Sequence, residues 1–199
     1  MRPTFCPTVL LPALLAGCVP VLTSPDGPEL CGEEAYVAPE NAWTVGEVPA
    51  DLCGEGWGEG ETVEDARWTD QNGQEVSMWQ FYGNVVLLDL STLWCAPCKD
   101  LAAEVQATAD DYRDEGFVYM TILVEDLEAD VPDQEELQEW GTYFGIAEPI
   151  VSDTANVAPT LLPESNYPGV FLISRDMVNL GRIDPADDPT IRAAVEAEL

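Results

Sequence analysis

The sequence predicts an α/β layer fold, a central mixed β-sheet flanked by helices, with an N-terminal hairpin and an irregular N-terminal extension. Three observations predict it. Residues 84–90 (NVVLLDL) and 117–124 (FVYMTILV) are short apolar runs of the kind that form strands buried on both faces. Between them, residues 97–115 place Leu101, Ala102, Val105, Ala109 and Tyr112 on one helical side. Near the end, residues 169–174 (GVFLIS), a turn at Arg175-Asp176 and residues 177–183 form an antiparallel hairpin.

Along the chain, residues 19–60 carry many Pro, Gly and Glu without a sustained period, which implies a tether and an irregular extension. Residues 66–69 and 75–78 flank DQNG, a hairpin signal. The strand at 84–90 feeds the helix at 97–115, which Gly116 is placed to end. After the strand at 117–124 and an acidic loop, residues 134–146 read as a helix bearing Leu137, Trp140, Tyr143 and Phe144. Residues 149–152 form a short strand. Following the last hairpin, Asp188 is the expected N-cap and Pro189 the first helical residue of a helix running to Leu199. The organisation is therefore a signal peptide at 1–17, an extension at 18–62 and one α/β domain at 63–199. No internal repeat is visible.

Charge is the compositional outlier. Seven basic residues against 38 acidic ones give a formal charge of −31, which repels nucleic acid and anionic lipid. The chain has no histidine, which removes Ser-His-Asp and Cys-His chemistry and the commonest transition-metal ligand. Cysteine, carboxylates and backbone remain.

The opening MRPTFCPTVLLPALLAGC has an arginine, an apolar segment and no acid. It is too short for a permanent span, which needs about 20 apolar residues, and fits a signal peptide. Leu15-Ala16-Gly17-Cys18 resembles the lipobox of bacterial lipoproteins, in which the chain is cut before the cysteine and the thiol is lipidated. That resemblance implies lipidation at Cys18 and export. Val19 follows in place of aspartate, which favours an outer membrane over an inner one.

With Cys6 lost and Cys18 lipidated, four cysteines remain. An oxidising compartment favours two bridges. Cys95 and Cys98 pair by proximity, leaving a structural Cys31–Cys53 bridge. Closing that loop would contribute roughly 3 kcal/mol on the chain-entropy model. Zinc held by four cysteines is the weaker alternative, because such sites use two short-spaced pairs and here only one is short. No metal or cofactor is expected. The acidic run at 125–133 (EDLEADVPD) lacks the glycine and spacing of an EF-hand, so a solvated loop is expected there.

Residues 91–104 (STLWCAPCKDLAAE) carry the chemistry. A strand runs through a short loop into a helix whose first turn holds the CxxC, the context in which that motif reads as redox-active. A cysteine at a helix start feels unpaired N–H groups and the positive end of the dipole, which lower its thiol pKa. Cys95 is thus the expected nucleophile and Cys98, one turn in, the resolving cysteine.

WCAPCK resembles the active site of the thioredoxin superfamily, and the wider layout resembles its exported, membrane-tethered TlpA/ResA-like members. The resemblance covers about residues 63–199. Trp94 matches the tryptophan before the first cysteine. Asp89 matches the buried carboxylate that accepts the resolving cysteine's proton. Tyr167-Pro168-Gly169 matches the cis-proline loop facing the CxxC. The resemblance therefore implies catalytic Cys95, Cys98 and Asp89, with Trp94, Ala96, Pro97, Tyr167 and Pro168 contacting substrate. It also implies protein substrates bearing disulfides or thiols and a membrane or periplasmic electron-exchange partner. The lipid would be the only membrane attachment.

Two departures stand out. The family has proline five residues after the second cysteine, and this chain has Ala103, so a helix kink is not expected there. Thioredoxins pair their buried aspartate with a lysine on the next strand, whereas the only lysine here is Lys99. Asp89 would then pass its proton by another route or remain neutral.

The leading function is a thiol–disulfide oxidoreductase, more a reductant than an oxidant because dense negative charge disfavours a thiolate. A peroxiredoxin-like thiol peroxidase is the first alternative: Thr92 stands three residues before Cys95, although Leu88 occupies the place of that family's proline. A two-thiolate Cu(I) carrier and a non-catalytic module are the others.

Overall fold

The computed structural model describes residues 35–199. The predicted signal peptide, Cys18 and Cys31 lie outside the described residues, and so does the pairing of Cys31 with Cys53.

Strands β1 (Arg67–Thr69) and β2 (Glu75–Ser77) form the expected antiparallel hairpin. The central strand β3 (Val85–Thr92) runs two residues further than its apolar pattern, since Ser91 and Thr92 are also buried. Then follow α1 (Ala96–Ala102), α2 (Val105–Tyr112), β4 (Phe117–Glu125), α3 (Gln134–Phe144) and β5 (Ile150–Ser152). A short α4 (Ala158–Leu161), β6 (Gly169–Ile173), β7 (Asn179–Ile183) and α5 (Asp188–Glu196) complete the chain. The sheet order is β5-β4-β3-β6-β7. Strands β5, β4 and β3 are parallel, while β6 runs antiparallel to both β3 and β7. The mixed sheet is thus as the sequence implies.

Strand β3 is buried on both faces, and its alternation divides the core. Val86, Leu88 and Leu90 meet the hairpin (Trp68, Val76), Phe81 and α4 (Ala158, Leu161). Val85 and Leu87 meet Leu101 of α1, Val105 of α2, Leu137 of α3 and Ile191 of α5. By the same period, Asp89 and Ser91 face the helical side. Residues 35–62 contain no helix or strand, yet they lie against the domain. Trp57 is buried edge-on to Trp68, and Trp43 Nε1 donates to Asp70 Oδ2 at 2.7 Å.

The helix expected at 97–115 is interrupted, which corrects the sequence reading. The Glu104 amide bonds to Leu101 O at 2.9 Å, a three-residue turn, before Thr108 N–H resumes the helical pattern to Glu104 O. The helix is therefore broken into two segments without proline. The tightened turn lets Leu101 and Ala102 of α1 and Val105 and Ala109 of α2 reach one core. Gly116, at φ 81°, ends the segment after a 3-10 turn, a left-handed conformation that glycine adopts without steric penalty.

A second correction concerns α5. Its N-cap is Asp187, whose carboxylate accepts the Thr190 N–H at 2.9 Å, and Asp188 is already helical. Asp188 is drawn away from capping by Arg192 at 2.9 Å and by Thr108 Oγ1, which donates at 2.9 Å. The acidic loop after β4 is exposed at residues 127–131, as expected, and Asp126, which is buried, organises it by accepting the Glu128 and Asp130 amides at 2.8 Å. Among the described residues, no helix is long and apolar enough to cross a membrane.

Candidate active site

The C-terminal end of β3 delivers the CxxC to one edge of the sheet. Leu93 N–H bonds to Glu125 O at 2.9 Å, tying the loop to the end of β4. Cys95 is the N-cap of α1, with Pro97 in the first turn, where no backbone donor is required. Cys95 and Cys98 form a disulfide, their Cα atoms 5.3 Å apart. The Cys98 amide donates to Cys95 Sγ at 3.2 Å. Cys95 is only 4% exposed and Cys98 fully buried, while Trp94, Ala96 and Pro97 surround them at the surface.

Strand β6 starts beside this point, since Gly169 pairs with Leu90 of β3. That register sets the preceding Tyr167-Pro168 peptide, which is cis, next to the motif. The rings of Trp94 and Tyr167 meet edge to face at 6.0 Å. Together with Pro168 they line a groove of about 420 Å³. Gly169 is needed here because a Cβ would stand 2.2 Å from Leu162 Cδ1.

Asp89 lies on the helical side of β3, buried. Burial pushes its pKa from 3.8 up to about 7, against the lowering effect of hydrogen bonding. Ser91 Oγ donates to Asp89 Oδ1 at 2.7 Å. Tyr119 of β4 shares the face. Its hydroxyl is close enough to lower the Asp89 pKa, but neither it nor Asp89 Oδ2 completes a hydrogen bond among the described residues. The two groups interact electrostatically without meeting hydrogen-bond geometry. Burial first, then the charges of Asp89 and Asp188, raise the Tyr119 pKa well above its ordinary value. Thr121, paired with Asp89 across the ladder, also keeps a buried hydroxyl without a partner among the described residues. The neighbours of Asp89 on β3 and β4 are thus hydroxyl-bearing residues, and neither strand carries a lysine.

The structure brings Trp94 against Tyr167 and Pro168 and joins Cys95 to Cys98, with Ala96 and Pro97 exposed beside the disulfide; Asp89 is buried in β3, six residues before Cys95. The sequence reading missed Tyr119 and Ser91, and also Glu125 and Arg182. Glu125 Oε2 accepts the Trp94 indole N–H at 3.1 Å. Arg182 Nη2 donates to the carbonyls of Asn166 at 2.9 Å and Pro168 at 3.2 Å, fastening the cis-proline loop. No local pattern marks Tyr119, Glu125 or Arg182, because each acts across a strand register or loop, whereas Ser91 is two residues from Asp89 on the same strand, a spacing visible in the sequence. Among the described residues there is no group of three or more His, Cys, Asp or Glu placed to hold a metal ion.

Residues 60–178, more than half of the chain, match the AhpC/TSA family. The chain belongs to the AhpC/TSA family. Solved structures similar to this AhpC/TSA protein include the thioredoxin domain of a thiol-disulfide oxidoreductase from Bacteroides vulgatus, at 16% identity and TM-score 0.59, covering 70% of this chain and 96% of that one. A thioredoxin-family thiol:disulfide interchange protein from Chlorobium tepidum is 16% identical with TM-score 0.58, covering 67% and 92%. A secreted Mycobacterium tuberculosis disulfide oxidoreductase homologous to E. coli DsbE is 14% identical with TM-score 0.55, covering 67% and 96%. No curated protein matches. At these identities the likeness establishes the fold: a thioredoxin-like sheet, as the sequence predicted.

Proposed function

We propose that this protein is a thiol–disulfide oxidoreductase acting on protein disulfides outside the cytoplasm, a TlpA/ResA-like member of its family. The observation that carries the reading is the Cys98 amide directed at Cys95 Sγ, across from the cis Pro168 loop. A fixed N–H at 3.2 Å stabilises sulfur best when it is a thiolate, which makes Cys95 the nucleophile.

In the reduced protein the Cys95 thiolate attacks one sulfur of a substrate disulfide. That S–S bond breaks, the far sulfur leaves as a thiolate and takes a proton, and a mixed disulfide forms on Cys95. Asp89 accepts the Cys98 proton; a carboxylate with a pKa of about 7 is suited to that at neutral pH. The Cys98 thiolate then attacks Cys95 Sγ, releasing reduced substrate and leaving the Cys95–Cys98 disulfide. Trp94, Ala96, Pro97, Tyr167 and Pro168 hold the substrate strand. A membrane or periplasmic dithiol partner must return two electrons. The N-terminal segment supports export and lipid anchoring at Cys18, with Cys31–Cys53 as a separate structural bridge, and the excess of acid supports a reductant.

Insulin reduction with dithiothreitol as electron source tests this. The protein should accelerate precipitation of the insulin B chain and Cys95→Ser should not; equal rates would refute the reading.

One observation favours a thiol peroxidase as second reading: Thr92, three residues before Cys95, is buried with its hydroxyl unpartnered among the described residues. Hydrogen peroxide consumption by Cys98→Ser protein, without insulin reduction by the unaltered protein, would select it.

A further inference from the structure

A second groove adjoins the CxxC segment and shares no lining residue with the one at the cis-proline loop. It has a volume of about 750 Å³ and lies between the motif, through Leu93 and Lys99, and helix α3. Its floor is aromatic. Trp140, Tyr143 and Phe144 share one face of α3, with Phe144 4.6 Å from Trp140 and 4.7 Å from Tyr143 between ring centroids. Tyr143 is 82% exposed, and Leu127, in the acidic loop opposite, is 70% exposed. Both side chains line the same groove as the aromatic floor. The rim is acidic, formed by Glu135, Glu136 and Glu139.

We propose that this groove docks a partner protein through an apolar segment flanked by lysine or arginine. This deepens the oxidoreductase reading, since the groove adjoins the motif and a segment seated in it would carry its cysteine toward Cys95. Charge selects the occupant. The three glutamates of the rim, in a chain of net charge −31, attract cations and repel an acidic segment. A second copy is disfavoured by the same rule, because the rim would face its own glutamates. Lys99 lines the groove too and makes no ion pair among the described residues, so three carboxylates stand against one ammonium and the lining keeps a net negative charge.

The test uses cysteine-free peptides on the full-length oxidised protein, so that docking is read independently of electron transfer. The probe is a dye-labelled 14-residue peptide alternating Leu or Phe with Lys or Arg. Its controls are an equally basic peptide with Ser for the apolar residues, and an acidic apolar one. Fluorescence anisotropy should show the basic apolar probe binding at least about tenfold more tightly than either control. Leu127→Ser with Tyr143→Ser should weaken it about fivefold or more, and Glu135→Lys with Glu139→Lys should remove its preference over the acidic peptide. Equal binding of the serine control would reduce the effect to the general acidic field and overturn the proposal. So would affinity unchanged in both variants, or dimers in sedimentation that Tyr143→Ser dissolves. Insulin reduction measured on the same protein keeps the outcomes distinct: loss of docking with intact reduction refutes the groove alone, and docking without reduction refutes the redox reading alone.

Discussion

Ser91 Oγ donates to Asp89 Oδ1 at 2.7 Å, two residues along the same strand, while Asp89 Oδ2 has no hydrogen-bond partner among the described residues. One oxygen is satisfied and the other is left facing a buried tyrosine. That asymmetry underlies an Asp89 pKa of about 7, because a single neutral hydrogen bond does not offset complete desolvation.

Stability should therefore fall as pH rises. The folded pKa of about 7 lies above the ordinary 3.8, so the native state binds the extra proton between these values. Stability is fully present below about pH 4, declines through pH 7 and is flat above it, with a total change of at most about 4 kcal/mol. Asp89→Asn should lack this slope. Urea unfolding of the oxidised proteins should find the variant close to the parent at pH 4 and more stable by roughly 2–4 kcal/mol at pH 8. Parallel profiles would show that Asp89 is not the buried acid described.

Tyr119→Phe removes the hydroxyl that lowers the Asp89 pKa. The inflection attributed to Asp89 in the pH profile of disulfide reduction should move upward, by less than one pH unit. Carboxyl NMR of Asp89 reports the same group directly. A downward shift would contradict the electrostatic contact between the two.

Arg182→Met should loosen the cis-proline loop, because both Arg182 bonds run to its backbone carbonyls. The expected result is a severalfold higher KM for a protein disulfide, with kcat and the rate on hydroxyethyl disulfide little changed. Stability should drop by about 1 kcal/mol. An equal loss on both substrates would mean that the loop does not position the larger one.

Gly169→Ala would place a Cβ 2.2 Å from Leu162 Cδ1 in a closely packed region between β6 and α4. Overpacking of this kind costs about 1–3 kcal/mol, read as a lower thermal midpoint. An unchanged midpoint would show that Leu162 can move aside.

The element order was legible because β3 and β4 are buried on both faces and their composition says so without knowledge of their neighbours. So was the CxxC, whose chemistry depends on residues adjacent in sequence. The break at Glu104 was not legible, because it comes from a tightened turn that serves core packing and no proline marks it. The cap of α5 was misplaced by one residue because Asp187 and Asp188 are chemically equal, and only Arg192 and Thr108 distinguish them. Tyr119 was hidden for a deeper reason. A parallel register between β3 and β4 decides which of nine strand residues can face Asp89, and the apolar pattern of β4 is compatible with several registers.

Cys98→Ser protein, incubated with an extract of the oxidising compartment and resolved without reductant, tests the central claim most directly. The account predicts covalent complexes through Cys95 that dithiothreitol releases and that Cys95→Ser with Cys98→Ser lacks. Identical complexes in the double variant, or none in the single one, would contradict it.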